Sequence, residues 1–384
     1  MTHAEGVVRI LIVDDSAVMR SLLRAVVMTD ARLEVTATAS NGESGLRAME
    51  TMRPDLVLLD VEMPVMDGLS TLRAMRERGL RVPVIMCSTL TQRGAQVTIE
   101  ALATGAADYV AKPSGQPSRE AAVEALAQDL IPKILALTMR RVMPASVPRA
   151  MTGVLPPVTP PPMASGAMHA VELHPAMGAA PRAVVIGVST GGPAALDVLL
   201  PMLPGDFPLP VLVVQHMPEL FTKLLAERLD SRCALRVVEA QEGMAVEAGC
   251  VYVARGNWHM EVAADGRRLR LTQAPPENHC RPSADVLFRS AVAAWGEAVL
   301  GVILTGMGAD GLAGCRMIRA RGGSVLAQDQ ATSAVWGMPG AVAQAGLAQK
   351  ILPLQAMAGE VMQVAQRAGG AGSGIEPMRQ KWAV

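Results

Sequence analysis

Short apolar runs, each closed by a polar or small residue and followed by a stretch of helical period, recur along most of the chain. Arg9-Ile10-Leu11-Ile12-Val13 ends in Asp14-Asp15. Asp55-Leu56-Val57-Leu58-Leu59 ends in Asp60, and Val82 to Cys87 ends in Ser88. Ala107 to Ala111 ends in Lys112-Pro113. The pattern resumes with Ala183 to Val188 before Ser189, Leu209 to Gln215 before His216, and Val299 to Leu304 before Thr305. Runs this short, bounded by turn residues, read as buried strands. Strands alternating with helices imply doubly wound parallel sheets. The strand ends of such a sheet share one edge, and that edge is where these folds bind ligands.

The expected architecture is α/β throughout. Five strands and five helices form a first domain, 7–128. A second, mainly parallel α/β domain, 182–368, carries a β-hairpin through Asp265-Gly266. Between them, 140–181 holds a third of the chain's prolines and only isolated charges. Such a stretch cannot bury a core and is expected to be extended and mobile, as is the Gly-rich tail 369–384. His169 and His174 read as solvated linker residues. The 384 residues are half apolar but only 2% aromatic, so aliphatic side chains and Met must fill the cores. Zero formal charge gives no electrostatic support for binding nucleic acid or a membrane surface. The five cysteines are scattered without C-x-x-C spacing, which suggests a reducing compartment and no zinc site. Neither a signal-peptide core nor a run of transmembrane length is seen, so a soluble, cytoplasmic protein is expected, without membrane insertion.

On the first edge fall Asp14, Asp15, Asp60, Ser88 and Lys112. Converging carboxylates repel unless a cation is present, and hard oxygen ligands favour Mg²⁺. A carboxylate beside the metal can accept a phosphoryl group, its oxygens stabilised by Lys112 and the Ser88 hydroxyl. Taken singly, each residue could cap a helix, end a strand or be solvated; five on one edge argue otherwise. With Met63-Pro64-x-x-Asp67-Gly68, Tyr109 and Lys112-Pro113, these residues resemble the receiver domain of two-component response regulators. The resemblance implies Asp60 as phosphoacceptor. It implies Mg²⁺ held by Asp15, Asp60 and the Glu62 backbone carbonyl, with Asp14 acting through water, and Ser88 and Tyr109 as a switch pair.

The second edge carries Gly187-Val188-Ser189-Thr190-Gly191. This fits a nucleophile-elbow pattern, although a phosphate loop or a plain turn with Ser189 as helix cap would also fit. His216 and Asp310 also lie just beyond strand ends, so a nucleophile, a base and an orienting acid share a rim. The Gly306-Met307-Gly308 turn and Thr190 can offer N–H groups to an oxyanion. The order Ser–His–Asp differs from the Ser–Asp–His order of α/β-hydrolases. That order, Gln215-His216-Met217, Thr305-Gly306-Met307-Gly308-x-Asp310-Gly311, Arg281-Pro282-Ser283-x-Asp285 and Gly337-Met338-Pro339-Gly340 together resemble the chemotaxis protein-glutamate methylesterase (CheB) family.

The resemblance implies Ser189 as nucleophile, His216 as general base and Asp310 as its orienter, with an oxyanion site at Met307 and Thr190 and no cofactor for the ester hydrolysis. The implied substrates are glutamyl methyl esters, and some glutamines, on methyl-accepting receptors. A histidine kinase is the implied phosphodonor, and phosphorylation the implied control. A non-catalytic regulator whose second domain binds a nucleotide or a protein is the alternative from another class.

Overall fold

The computed structural model describes residues 7–89, 91–113, 115–142 and 180–369. Most of the expected linker and nearly all of the tail, with His169 and His174, lie outside the described residues. The first half runs β1 (Val8–Val13), α1 (Ala17–Val27), β2 (Leu33–Ala39), α2 (Gly42–Met52), β3 (Leu56–Asp60), α3 (Gly68–Glu77), β4 (Val84–Ser88), α4 (Gln92–Thr104), β5 (Asp108–Ala111) and α5 (Arg119–Val142). Its five strands are all parallel, in the order β2-β1-β3-β4-β5. Both sides of the sheet are covered by helices, which is why β3 and β4 are apolar and buried along their length. The turns are set locally. Ser16, Asn41, Asp67 and Thr91 each accept from a backbone N–H of the helix they precede. Helix α5 continues past residue 128 because its core-facing spacing continues: Leu126, Leu130 and Ile134 are all buried.

The second half begins with β6 (Ala183–Val188), α6 (Gly192–Leu199), β7 (Val211–Gln215), α7 (Glu219–Asp230), β8 (Arg236–Glu239) and β9 (Cys250–Val253). The hairpin of β10 (His259–Val262) and β11 (Leu269–Thr272) follows, then α8 (Ala284–Trp295), β12 (Val299–Ile303) and α9 (Leu312–Ala320). The fold closes with β13 (Ser324–Gln328), α10 (Met338–Gln344), β14 (Lys350–Leu352) and α11 (Leu354–Gly369). Seven strands pair in the order β14-β13-β12-β6-β7-β9-β8, every pairing parallel. The chain enters at the centre with β6, winds one way through β7, then returns to the other side at β12. The two directions of winding part between β6 and β12, the place where a doubly wound sheet opens a crevice at its carboxyl edge. In the first sheet the same parting lies between β1 and β3.

The two halves share an apolar seam. Ile99 and Leu102 of α4 and Tyr109 of β5 belong to one buried cluster with Leu196 of α6 and with Phe221 and Leu225 of α7. The Tyr109 and Phe221 rings stack at 4.5 Å between centroids and 22° between planes. The receiver-like sheet is thereby held with its α4–β5 side against the carboxyl edge of the larger sheet.

Candidate active site

Ser189 follows β6 directly, and its N–H donates to the carbonyl of Thr305, just past β12. Close approach at this junction requires glycine. A Cβ on Gly306 would lie 2.8 Å from that of Ser189, and Gly191 has φ of +78° where it starts α6. Val188 is in register with Gln215, so His216 is the first residue past β7, and its N–H donates to the Val188 carbonyl. The Gln215 side-chain amide, buried, donates to the main-chain carbonyl of Ser189 at 3.1 Å and leans toward that of His216 at 3.4 Å. The loops bearing Ser189 and His216 are tied together from beneath.

Asp310 is the most heavily engaged carboxylate in the region. It accepts from His216 Nε2 at 2.8 Å, Asn278 Nδ2 at 2.9 Å and Ser283 Oγ at 2.7 Å. It also accepts from the N–H groups of Ala284 and Asp285 at 2.6 and 3.2 Å, the first turn of α8. A helix start favours negative charge there. Burial works to raise the Asp310 pKa, but the His216 ring, the Ser283 hydroxyl and the Ala284 N–H hold it well below the usual carboxylate range. Burial also works to lower the His216 pKa. Its bond to Asp310 and its contact with the Cys280 thiol outweigh that and hold the imidazole up to about 9. The ring therefore carries a proton near neutrality.

Ser189, Thr190, His216 and Met307 line one cleft of about 770 Å³, walled on one side by Asp108, Tyr109, Asp129 and Lys133 of the receiver-like half. Among the described residues, the Ser189 hydroxyl makes no hydrogen bond to His216. The nitrogen facing away from Asp310, Nδ1, is 3.5 Å from Cys280 Sγ. The N–H groups of Thr190 and Met307 have no protein acceptor among the described residues. The Thr190 hydroxyl donates to Asp108 Oδ2 at 2.6 Å, and the Gly191 N–H donates to the Ala107 carbonyl at 3.1 Å. Asp108, Cys280 and Asn278 escaped sequence reasoning. Asp108 read as one more strand residue and the 278–280 segment as a loop; only the polar run ahead of α8 hinted at a role.

At the first edge, Asp14, Asp15 and Asp60 bring oxygens within 4.8 Å of one another. Lys112 Nζ lies 2.8 Å from both Asp14 and Asp60. Burial raises the Asp60 carboxyl above its ordinary value against the pull of Lys112. Burial lowers Lys112, but its two carboxylates more than compensate and raise it. The Ser88 hydroxyl, buried, donates to the Thr89 carbonyl at 3.2 Å. Tyr109 is turned inward on Phe221. The Glu62 side chain pairs with Arg93 at 3.3 Å.

Residues 184–361 match the CheB methylesterase family model, and 10–126 match the response regulator receiver domain model. A protein-glutamate methylesterase/protein-glutamine glutaminase of Nocardioides sp. is 51% identical over 360 residues, covering 92% of this chain and 94% of its own. One of the same name from Trichodesmium erythraeum is 45% identical over 358 residues, covering 92% and 98%. Among solved structures, the Thermotoga maritima CheB methylesterase catalytic domain is 41% identical with a TM-score of 0.47, covering 48% of this chain and 98% of that one. The response regulator domain of Thermotoga maritima CheB is 35% identical with a TM-score of 0.31, covering 35% and 97%.

Proposed function

The chain belongs to the CheB protein-glutamate methylesterase family, and on that footing we propose that Ser189 is its nucleophile, His216 its general base and Asp310 the group that orients and charges the base. The protein is a chemotaxis methylesterase that removes methyl groups from glutamate esters as methanol, and it is a protein-glutamine glutaminase as well. Its substrates are the cytoplasmic helices of methyl-accepting receptors.

The observation that carries the assignment is the 2.8 Å bond between His216 and Asp310 in the cleft that Ser189 also lines. His216 takes the Ser189 proton as the hydroxyl attacks the ester carbonyl. The N–H groups of Met307 and Thr190 receive the oxyanion. The protonated ring then gives its proton to the leaving methanol; a water, deprotonated by the same ring, adds to the acyl carbon, and the ring returns that proton to the Ser189 oxygen as glutamate leaves. A glutamine side chain follows the same course with ammonia as leaving group. Ser189→Ala is expected to cut methanol release from methylated receptor by more than about 10³-fold; a variant that keeps its rate would refute the assignment.

Asp60 accepts a phosphoryl group from a histidine kinase. The donor set fits Mg²⁺ by its chemistry: three hard carboxylates at one spot, with the Glu62 carbonyl two residues past Asp60. Asp15, Asp60 and that carbonyl would hold the ion, with Asp14 acting through water. When bound, Mg²⁺ neutralises charge at the acceptor. Lys112 steadies the phosphoryl oxygens, and Ser88 and Tyr109 turn toward the modified Asp60. Tyr109 leaving Phe221 loosens the wall over the cleft. Two bonds that cross the seam reach the nucleophile's own turn: Asp108 on the Thr190 hydroxyl, and the Ala107 carbonyl on the Gly191 N–H.

A further inference from the structure

Cys280 has no part in the mechanism above, yet it touches the base. It sits between β11 and α8, after Asn278 and His279, which have φ of +52° and +62°. It lines the cleft that holds Ser189. Its sulfur is 3.5 Å from His216 Nδ1, while Nε2 is committed to Asp310 at 2.8 Å. Both protonation states of the ring leave Nδ1 occupied. In the neutral ring Nε2–H donates to Asp310, and Nδ1 accepts from the Cys280 thiol. In the charged ring both N–H groups donate, one to Asp310 and one to the sulfur. Neither state leaves Nδ1 open to Ser189, whose hydroxyl makes no bond to the ring.

We propose that Cys280 is a positioning residue that holds His216 idle, competing with Ser189 for Nδ1, so that the Ser189–His216 bond forms only when Cys280 gives up the ring. The inference rests on reading Ser189 as nucleophile and His216 as base. A thiol suits the task because it is a weak donor and a weak acceptor. It occupies the nitrogen, and a hydroxyl can replace it. A serine at 280 would hold the ring harder, and an alanine would not hold it.

The test is steady-state hydrolysis of methylated receptor by the full-length chain as wild type, Cys280→Ala and Cys280→Ser. A fluorophosphonate probe alongside reads the reactivity of Ser189. Cys280→Ala is expected to raise kcat about twofold, the worth of a hydrogen bond at the weak end of the usual range, with KM nearly unchanged. Labelling of Ser189 should speed up by a similar factor. Cys280→Ser, which puts a stronger donor on Nδ1, should bring kcat below the wild-type value. An unchanged or reduced kcat in Cys280→Ala, with Ser189 still labelled, overturns the proposal. If Cys280→Ala does not fold, Cys280→Ser decides, and a kcat equal to or above wild type in that variant overturns it. Failure of the underlying reading is recognised separately: Ser189→Ala would keep its activity and the wild-type serine would stay unlabelled.

Discussion

An imidazole held up to about 9 keeps its proton at neutral pH, and a protonated ring cannot take one from a serine. Methanol release by the unphosphorylated chain is therefore expected to climb as pH rises toward about 9, read as kcat/KM against pH; a profile flat over that range would contradict it. The same proton is linked to folding. A pKa raised from 6.5 to about 9 adds stability that is fully present below 6.5 and is lost as pH rises through about 9. At this scale the sequence was legible where an apolar run stops at a polar residue, which is how Ser189, His216 and Asp310 came to be read on one rim. It was not legible where a side chain acts across the fold. Cys280 is separated by 64 residues from the ring it touches, and Asp108 by 82 from Thr190. No local pattern encodes either contact.

Among the elements, β5 does two things at once. Its strand pairs with β4, and its first two residues face the larger sheet: Asp108 toward the start of α6 and Tyr109 toward α7. Asp108→Ala removes a buried bond to a charged group, worth about tenfold or more in an equilibrium. The expected outcome is a rise of about that order in the basal methylesterase rate of the unphosphorylated chain; a rate equal to wild type would show that the bond does not restrain the cleft. The alternation of strands and helices was readable because parallel strands covered on both sides must be apolar throughout. The length of α5 was less so. Its apolar spacing runs past Leu126 to Leu130 and Ile134 across Pro132, which reads as a break in isolation.

For the whole molecule, the receiver half forms part of the wall of the hydrolytic cleft, so chemistry at Asp60 should reach it. A small-molecule phosphodonor with Mg²⁺ is expected to raise methanol release by wild type, and Asp60→Asn should give no rise. An unaltered wild-type rate would remove the proposed control. Which residues form the seam was not legible, because they are aliphatic or aromatic and read as core for their own halves. That seam, closed by Tyr109 on Phe221, also bears on how the protein melts. Two bodies joined through common buried surface lose it together, so scanning calorimetry of the resting protein should give one endotherm. Phosphorylation that parts them should split the peak in two.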